Sequence, residues 1–116
     1  DESLRHWFAS PRAAVGFLIH AAELDTAPLG ARRTLSMPGL SATVGEEIEA
    51  LRRVAGEKIA TLIRQEPDET IMRIVASWPK NFTAERAIEL GFKAETSFDE
   101  IIQAHIEDEL GGKLPE

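Results

Sequence analysis

The chain contains no cysteine and no tyrosine. Without thiols it can build no disulfide, no zinc-thiolate centre and no cysteine nucleophile, and the expectation is a cytoplasmic protein. Aromatics make up only 6% of the residues, and 13 lysines and arginines face 20 aspartates and glutamates, for a formal net charge of -7. An acidic surface repels phosphate backbones, and the basic residues form no stripe with interleaved aromatics, so no nucleic acid is expected as a partner. Long apolar runs are missing too. The longest, Ala13 to Ala22, is broken by Gly16 and His20 and is too short to span a bilayer; no basic-then-apolar leader opens the chain, so no membrane is expected. Nor is there a glycine-rich phosphate loop. Gly39 and Gly45 are too far apart, and Gly111-Gly112 follows a helix instead of preceding one.

What is present fits one small domain: 116 residues, 43% hydrophobic and 28% charged. The chain starts at Asp1, and a piece of a longer protein is expected. Ser10-Pro11 marks a helix start, with Val15, Leu18, Ile19 and Ala22 following at helical spacing until the turn chemistry of Thr26 to Gly30. Arg33 to Met37 reads as a short strand ended by Pro38-Gly39. Thr43 and Glu46 make a capping box for a second helix, which Gly56 closes. Lys58 to Arg64 reads as a second strand on its β-branched residues. Pro67-Asp68 opens a helix carrying Ile71, Ile74, Val75 and Trp78. Thr83 is the expected cap of a short helix ending at Leu90-Gly91-Phe92, and Ser97 with Glu100 caps the last one, over Phe98, Ile101, Ile102 and Ile106. Leu110-Gly111-Gly112 ends it, and Lys113 to Glu116 reads as a frayed tail. The expected fold is α/β and helix-rich: five helices and two short strands.

Few residues carry recognisable chemistry. His6, His20 and His105 are scattered; His105 and Asp108 are three apart on a helix and could share a metal, but a histidine flanking an apolar stripe is more often a packing residue, so no metal is expected. Ser10 and Ser41 lack the setting of an activated nucleophile and read as caps. Glu46-Glu47 and Glu107 to Glu109 lie on helices whose other faces are apolar, which fits a solvated surface better than an acid/base pair. The arginines are more suggestive: Arg5, Arg12, Arg32, Arg33, Arg64 and Arg73 could include an anion clamp. Arg5 and Arg12 flank the first helix N-terminus with Trp7 between them, which makes this the strongest anion-site candidate in the sequence. In the plainer reading Arg12 pairs with a surface acid and Trp7 packs in the core.

Taken together, Arg5-His6-Trp7 before a helix, the capped "TVGEEIEALRRVAG", the "PDETIMRIVASWP" segment and the closing "AERAIELGFKAETSFDEII" resemble the C-terminal lobe of the extended short-chain dehydrogenases/reductases, the NAD-dependent epimerase/dehydratase superfamily. Within it, "HWFASPRAAVGFLIHAA" and "LSMPGLSATVGEEIEALRRVAG" look most like the D-erythronate dehydrogenase branch. The resemblance runs from Arg5 to Leu110 and makes residues 1-116 a substrate-binding lobe whose Rossmann domain lies elsewhere.

The resemblance implies a partner domain, the N-terminal Rossmann domain, which binds NAD, and a substrate that is a small sugar acid or a nucleotide sugar. It also implies a homodimeric complete enzyme. Arg5 and Trp7 match the arginine and aromatic of the epimerases' Arg-Asp-Tyr-type segment, where the arginine helps hold the anionic part of the substrate; with Ser10, Arg12 and Arg73 they are the expected substrate-binding residues. His6 replaces the usual aspartate there, and Arg12 stands where epimerases often carry an acid. Gln65 stands where they often carry a diphosphate-binding arginine, with Arg64 beside it. These departures favour a compact sugar acid over a nucleotide sugar. The family's chemistry also needs a Tyr-x-x-x-Lys pair and a Gly-rich turn. With neither, this chain alone is expected to have no catalytic residue, no cofactor and no activity. A free-standing helical interaction module is the rival from another class.

Overall fold

The computed structural model describes residues 1–115. Its elements run in the order β1 (Arg5–Phe8), α1 (Pro11–Glu23), a single 3-10 turn (Ala27–Leu29), β2 (Leu40–Thr43), α2 (Val44–Ala55), α3 (Glu57–Ala60), α4 (Glu69–Val75), α5 (Glu85–Glu89) and α6 (Phe98–Glu109). The helix-rich α/β character and the number of strands agree with the sequence reading, but both strands lie elsewhere. β1 and β2 pair antiparallel, Arg5 opposite Thr43 and Phe8 opposite Leu40. Neither expected strand forms. Residues 33–37 have no regular structure, and the 58–64 segment begins as α3 and continues as turns, with Ala60 N–H donating to Gly56 O and Ile63 N–H to Ala60 O. Its backbone groups are satisfied locally, so the β-branched residues are not drawn into a sheet. The expected tail reaches Glu116, which is outside the described residues.

The helix starts follow local chemistry. Ser10 accepts from Ala13 N–H at 2.9 Å with Pro11 at the first helical position. Reciprocal capping boxes close on Thr43 with Glu46 and on Ser97 with Glu100. Asp68 Oδ1 accepts from Thr70 and Ile71 N–H. α5 is the exception: its cap position is Ala84, not Thr83, and no side chain bonds there.

The core sits where α2 crosses α6 beneath the two-stranded ribbon. Of the nine buried apolar residues described across the chain six are alanines, and only Leu29, Phe92 and Ile106 are large. A core this thin leaves much apolar surface outside. α1 shows this most clearly: Ala13, Phe17, His20 and Leu24 are its partly covered positions, whereas the expected stripe of Val15, Leu18, Ile19 and Ala22 faces outward, with Leu18 73% exposed. The helix is apolar on both sides, and its own chain covers one. α4 repeats the pattern, with Ile71, Met72 and Ile74 exposed and Trp78 just beyond them.

The global dimensions agree. The chain spans 50 × 36 × 19 Å with a radius of gyration of 16.6 Å, against about 13 Å for a compact domain of this length. It exposes 8284 Å², roughly 2,000 Å² more than a compact monomer of its mass.

The closing Leu-Gly-Phe motif also has a structural role. Gly91 turns the chain at φ +91°, and a Cβ there would lie 3.1 Å from His20 Nε2. That nitrogen sits 2.6 Å from Leu90 O, and the His20 ring meets Phe92 edge-on at 4.6 Å. Phe92, 3% exposed, pins the end of α5 against α1.

Candidate functional site

In a strand, alternate side chains share a face, so β1 divides its residues into two sets. His6 and Phe8 face α6 and the segment after α4: His6 meets Trp78 at 5.6 Å and Phe8 meets Phe98 at 5.3 Å, both edge-on. His6 Nδ1 is buried with no hydrogen-bond partner among the described residues. Arg5 and Trp7 occupy the other face. The Trp7 ring lies against Gly39, where a Cβ would come within 2.7 Å of the indole and 2.6 Å of Phe8 O. Its Nε1–H points at Met37 O at 3.4 Å, and Phe82 packs edge-on at 5.7 Å. Pro38-Gly39 therefore does not end a strand; it makes the flat seat on which Trp7 rests.

Arg5, half-exposed, donates from Nη1 to Ser41 O at 3.0 Å and places Nη2 3.3 Å from Glu46. Glu46 is held below the usual carboxylate range first by the Thr43 N–H and then by the Arg5 charge. Ser41, expected as a cap, is instead a strand residue opposite Trp7, with its hydroxyl donating to Lys80 O at 2.7 Å. The resulting face combines the Arg5–Glu46 ion pair, two aromatic rings and a serine on a short ribbon. Such a surface can orient a small polar anion.

The other sequence candidates go elsewhere. Ser10 is 1% exposed and fully engaged: it caps α1, and both its hydroxyl and its N–H donate to Glu95. Arg12 forms a fork with Asp108 at 2.9 and 2.8 Å and reaches Glu107 at 2.8 Å. Those bonds raise the guanidinium above its ordinary value and lower both carboxyls. With Asp108 engaged in this way, the His105–Asp108 pair gains no third ligand; among the described residues no three His, Cys, Asp or Glu gather around a metal-sized space. Arg73 is exposed on α4. Arg5 and Arg12 thus belong to separate clusters. Phe82, Ser41 and Met37, which complete the Trp7 face, gave no signal in the sequence.

A dinucleotide does not fit these residues. The sheet has two antiparallel strands and no parallel crossover, and the N-termini of α1, α2 and α6 are already filled by their own caps. No helix among the described residues is long and apolar enough to cross a membrane.

Comparison with known proteins relates the chain to longer ones. No family model matches the chain. It is 48% identical over 102 residues, 88% of its length, to a D-erythronate dehydrogenase of Cupriavidus necator. The chain is similar to part of a D-erythronate dehydrogenase. A second such enzyme, from Haemophilus influenzae, is 41% identical over 95% of the chain. The crystal structure of a nucleoside-diphosphate-sugar epimerase from Agrobacterium tumefaciens superposes with a TM-score of 0.95 over 99% of the chain at 68% identity. The chain spans about a third of each relative, 32%, 35% and 34% respectively, and corresponds to the C-terminal part of the epimerase. The resemblance seen in the sequence, to the D-erythronate dehydrogenase branch of the epimerase superfamily, agrees with these matches.

Proposed function

We propose that residues 1–116 form the substrate-recognition lobe of an NAD-dependent dehydrogenase acting on a small sugar acid of the D-erythronate kind. The similarity to two D-erythronate dehydrogenases along most of the chain carries this reading. Since the residues present do not fit a dinucleotide, NAD and the proton-transferring groups belong to a Rossmann domain in the rest of the protein. The outward apolar faces of α1 and α4 are where that domain packs.

Within the lobe, Arg5 holds the substrate carboxylate and the Trp7–Phe82 pair forms the wall that limits its size. Ser10 and Arg12 support this arrangement by fixing α1 to Glu95 and to α6. Arg73 is the remaining expected contact, reached only if the substrate extends toward α4. The complete enzyme is proposed to work in the cytoplasm, as a homodimer.

A second reading, a nucleoside-diphosphate-sugar epimerase, is favoured by the solved structure of that name. Against it, Gln65 stands at the usual diphosphate arginine and donates to Glu2 at 2.6 Å, so that position offers a diphosphate no cation.

The test follows NAD reduction by the full-length protein with a panel of four-carbon sugar acids and, for nucleotide sugars, the epimerised product itself, since an epimerase returns its hydride and accumulates no NADH. Turnover of a sugar acid, with KM raised roughly 10- to 100-fold in Arg5→Ala and partly restored in Arg5→Lys, is the expected result. Turnover of nucleotide sugars alone transfers the assignment to the second reading, and an unchanged KM removes Arg5 from the site.

A further inference from the structure

Most arginines with a defined partner in this acidic chain are matched to carboxylates: Arg5 to Glu46, Arg12 to Glu107 and Asp108, Arg52 to Glu49 and Glu57, Arg53 to Asp99. Arg86 is different. It is half-buried, and its guanidinium donates to two backbone carbonyls, Arg32 O and Leu29 O, each at 2.7 Å. No carboxylate lies within ion-pair distance of it or of Arg32 among the described residues. The carbonyls take one N–H from each terminal nitrogen and leave its charge without a counter-ion among the described residues.

Both arginines line one open concavity of about 260 Å³, together with the hydroxyl-bearing Thr34, Ser36 and Thr83. Buried Ala84 and Ala87 form its floor. No aspartate, glutamate or aromatic ring lines it. Cations and hydroxyls without acids suit an oxyanion, and no aromatic ring is there to stack on a nucleobase. At roughly 30 Å³ per water the space takes more than one tetrahedral anion.

We propose that this concavity between the 32–36 segment and α5 binds a phosphomonoester of a small polyhydroxylated molecule. Arg32 and Arg86 take the dianion, and Thr34, Ser36 and Thr83 meet its hydroxyls. The proposal is independent of the dehydrogenase reading, since none of these residues belongs to the Arg5–Trp7 face.

The test is a titration of the full-length protein with inorganic phosphate and with glycerol phosphate at constant ionic strength, following the backbone amides of Thr34, Ser36, Thr83 and Ala87. Saturable shifts at these amides are expected, with glycerol phosphate binding more tightly than phosphate and Arg32→Gln weakening both about tenfold or more. Arg32 is the residue to change because Arg86 also holds two loop carbonyls; Ser36→Ala, expected to cost only a few-fold, is the second variant. Linear shifts, equal shifts with chloride, or unchanged affinity in both variants overturn the site. So does silence at these amides, the result if a carboxylate from the rest of the protein already fills the space.

Discussion

The α2–α6 side of the molecule and the α1–α4 side are built on opposite terms. α2 and α6 each begin in a reciprocal capping box, turn alanines inward and carry their charges outward, with Arg53 paired to Asp99 between them. α1 and α4 have sound caps as well, but they expose Val15, Leu18, Ile19, Ile71, Met72 and Ile74. One side is a finished surface and the other leaves its large apolar side chains in the open. Capping chemistry is therefore no guide to whether a helix is covered: it satisfies the ends, while burial depends on what lies alongside.

The comparison can be broken most directly at its anchor. Phe92→Ala removes the largest buried ring on the α1 side and should cost about 3–5 kcal/mol in urea unfolding; a loss under about 1 kcal/mol would mean that α1 is held chiefly by whatever covers its outer face. Leu18→Asp sharpens the contrast, because on a solvated helix it should move stability by no more than about 0.5 kcal/mol. In the full-length protein we expect a loss of about 2–4 kcal/mol, the range for an uncompensated polar group in an apolar contact. Gly39→Ala should cost about 1–3 kcal/mol and shift Trp7 emission, since its Cβ would fall on the indole. Ser97→Ala opens the α6 capping box and should cost about 1 kcal/mol, with m unchanged in the urea transition.

The smallest effect is electrostatic. Glu100, bonded by Thr96 and Ser97 N–H, and Asp99, Glu107 and Asp108, bonded by arginines, all lie below their ordinary values. A carboxyl whose folded value is depressed stabilises the fold above its unfolded value, and that contribution is lost as pH falls through the folded one. Stability should therefore decline on acidification below the ordinary carboxylate range, and Arg12→Ala should flatten that decline, as read from urea midpoints across pH. A decline just as steep in the variant would show that the Arg12 fork contributes nothing measurable.

What could be read from the sequence was local. Ser10-Pro11, Thr43 with Glu46, Asp68, and Ser97 with Glu100 act within three residues of themselves, and each opens a helix where expected. The strands could not be read in the same way. Arg5–Phe8 pairs with residues some thirty-five positions away, and four residues carry too little pattern to announce it. Val15, Leu18, Ile19 and Ala22 lie on α1 as their spacing indicated, but the helix is apolar on both sides, so periodicity alone could not say which side this chain covers. At the site, Arg5 and Trp7 stood out by type, but Arg12 is held apart from them by Asp108 and Glu107 of α6, and Phe82 and Ser41 join them only through long-range packing.

The slab is 19 Å thick, about two helix diameters, and this limits what the lobe can do by itself. No point inside is farther than one helix from bulk solvent, and Arg5 lies on a face with no opposing wall. A carboxylate held there by the proposed Arg5 contact would stay hydrated in this lobe alone. On the proposed reading, a dry reaction centre, where fixed charges act at full strength, would need a second body over this face. The ribbon would then be one jaw of a clamp, with binding and sealing divided between two surfaces.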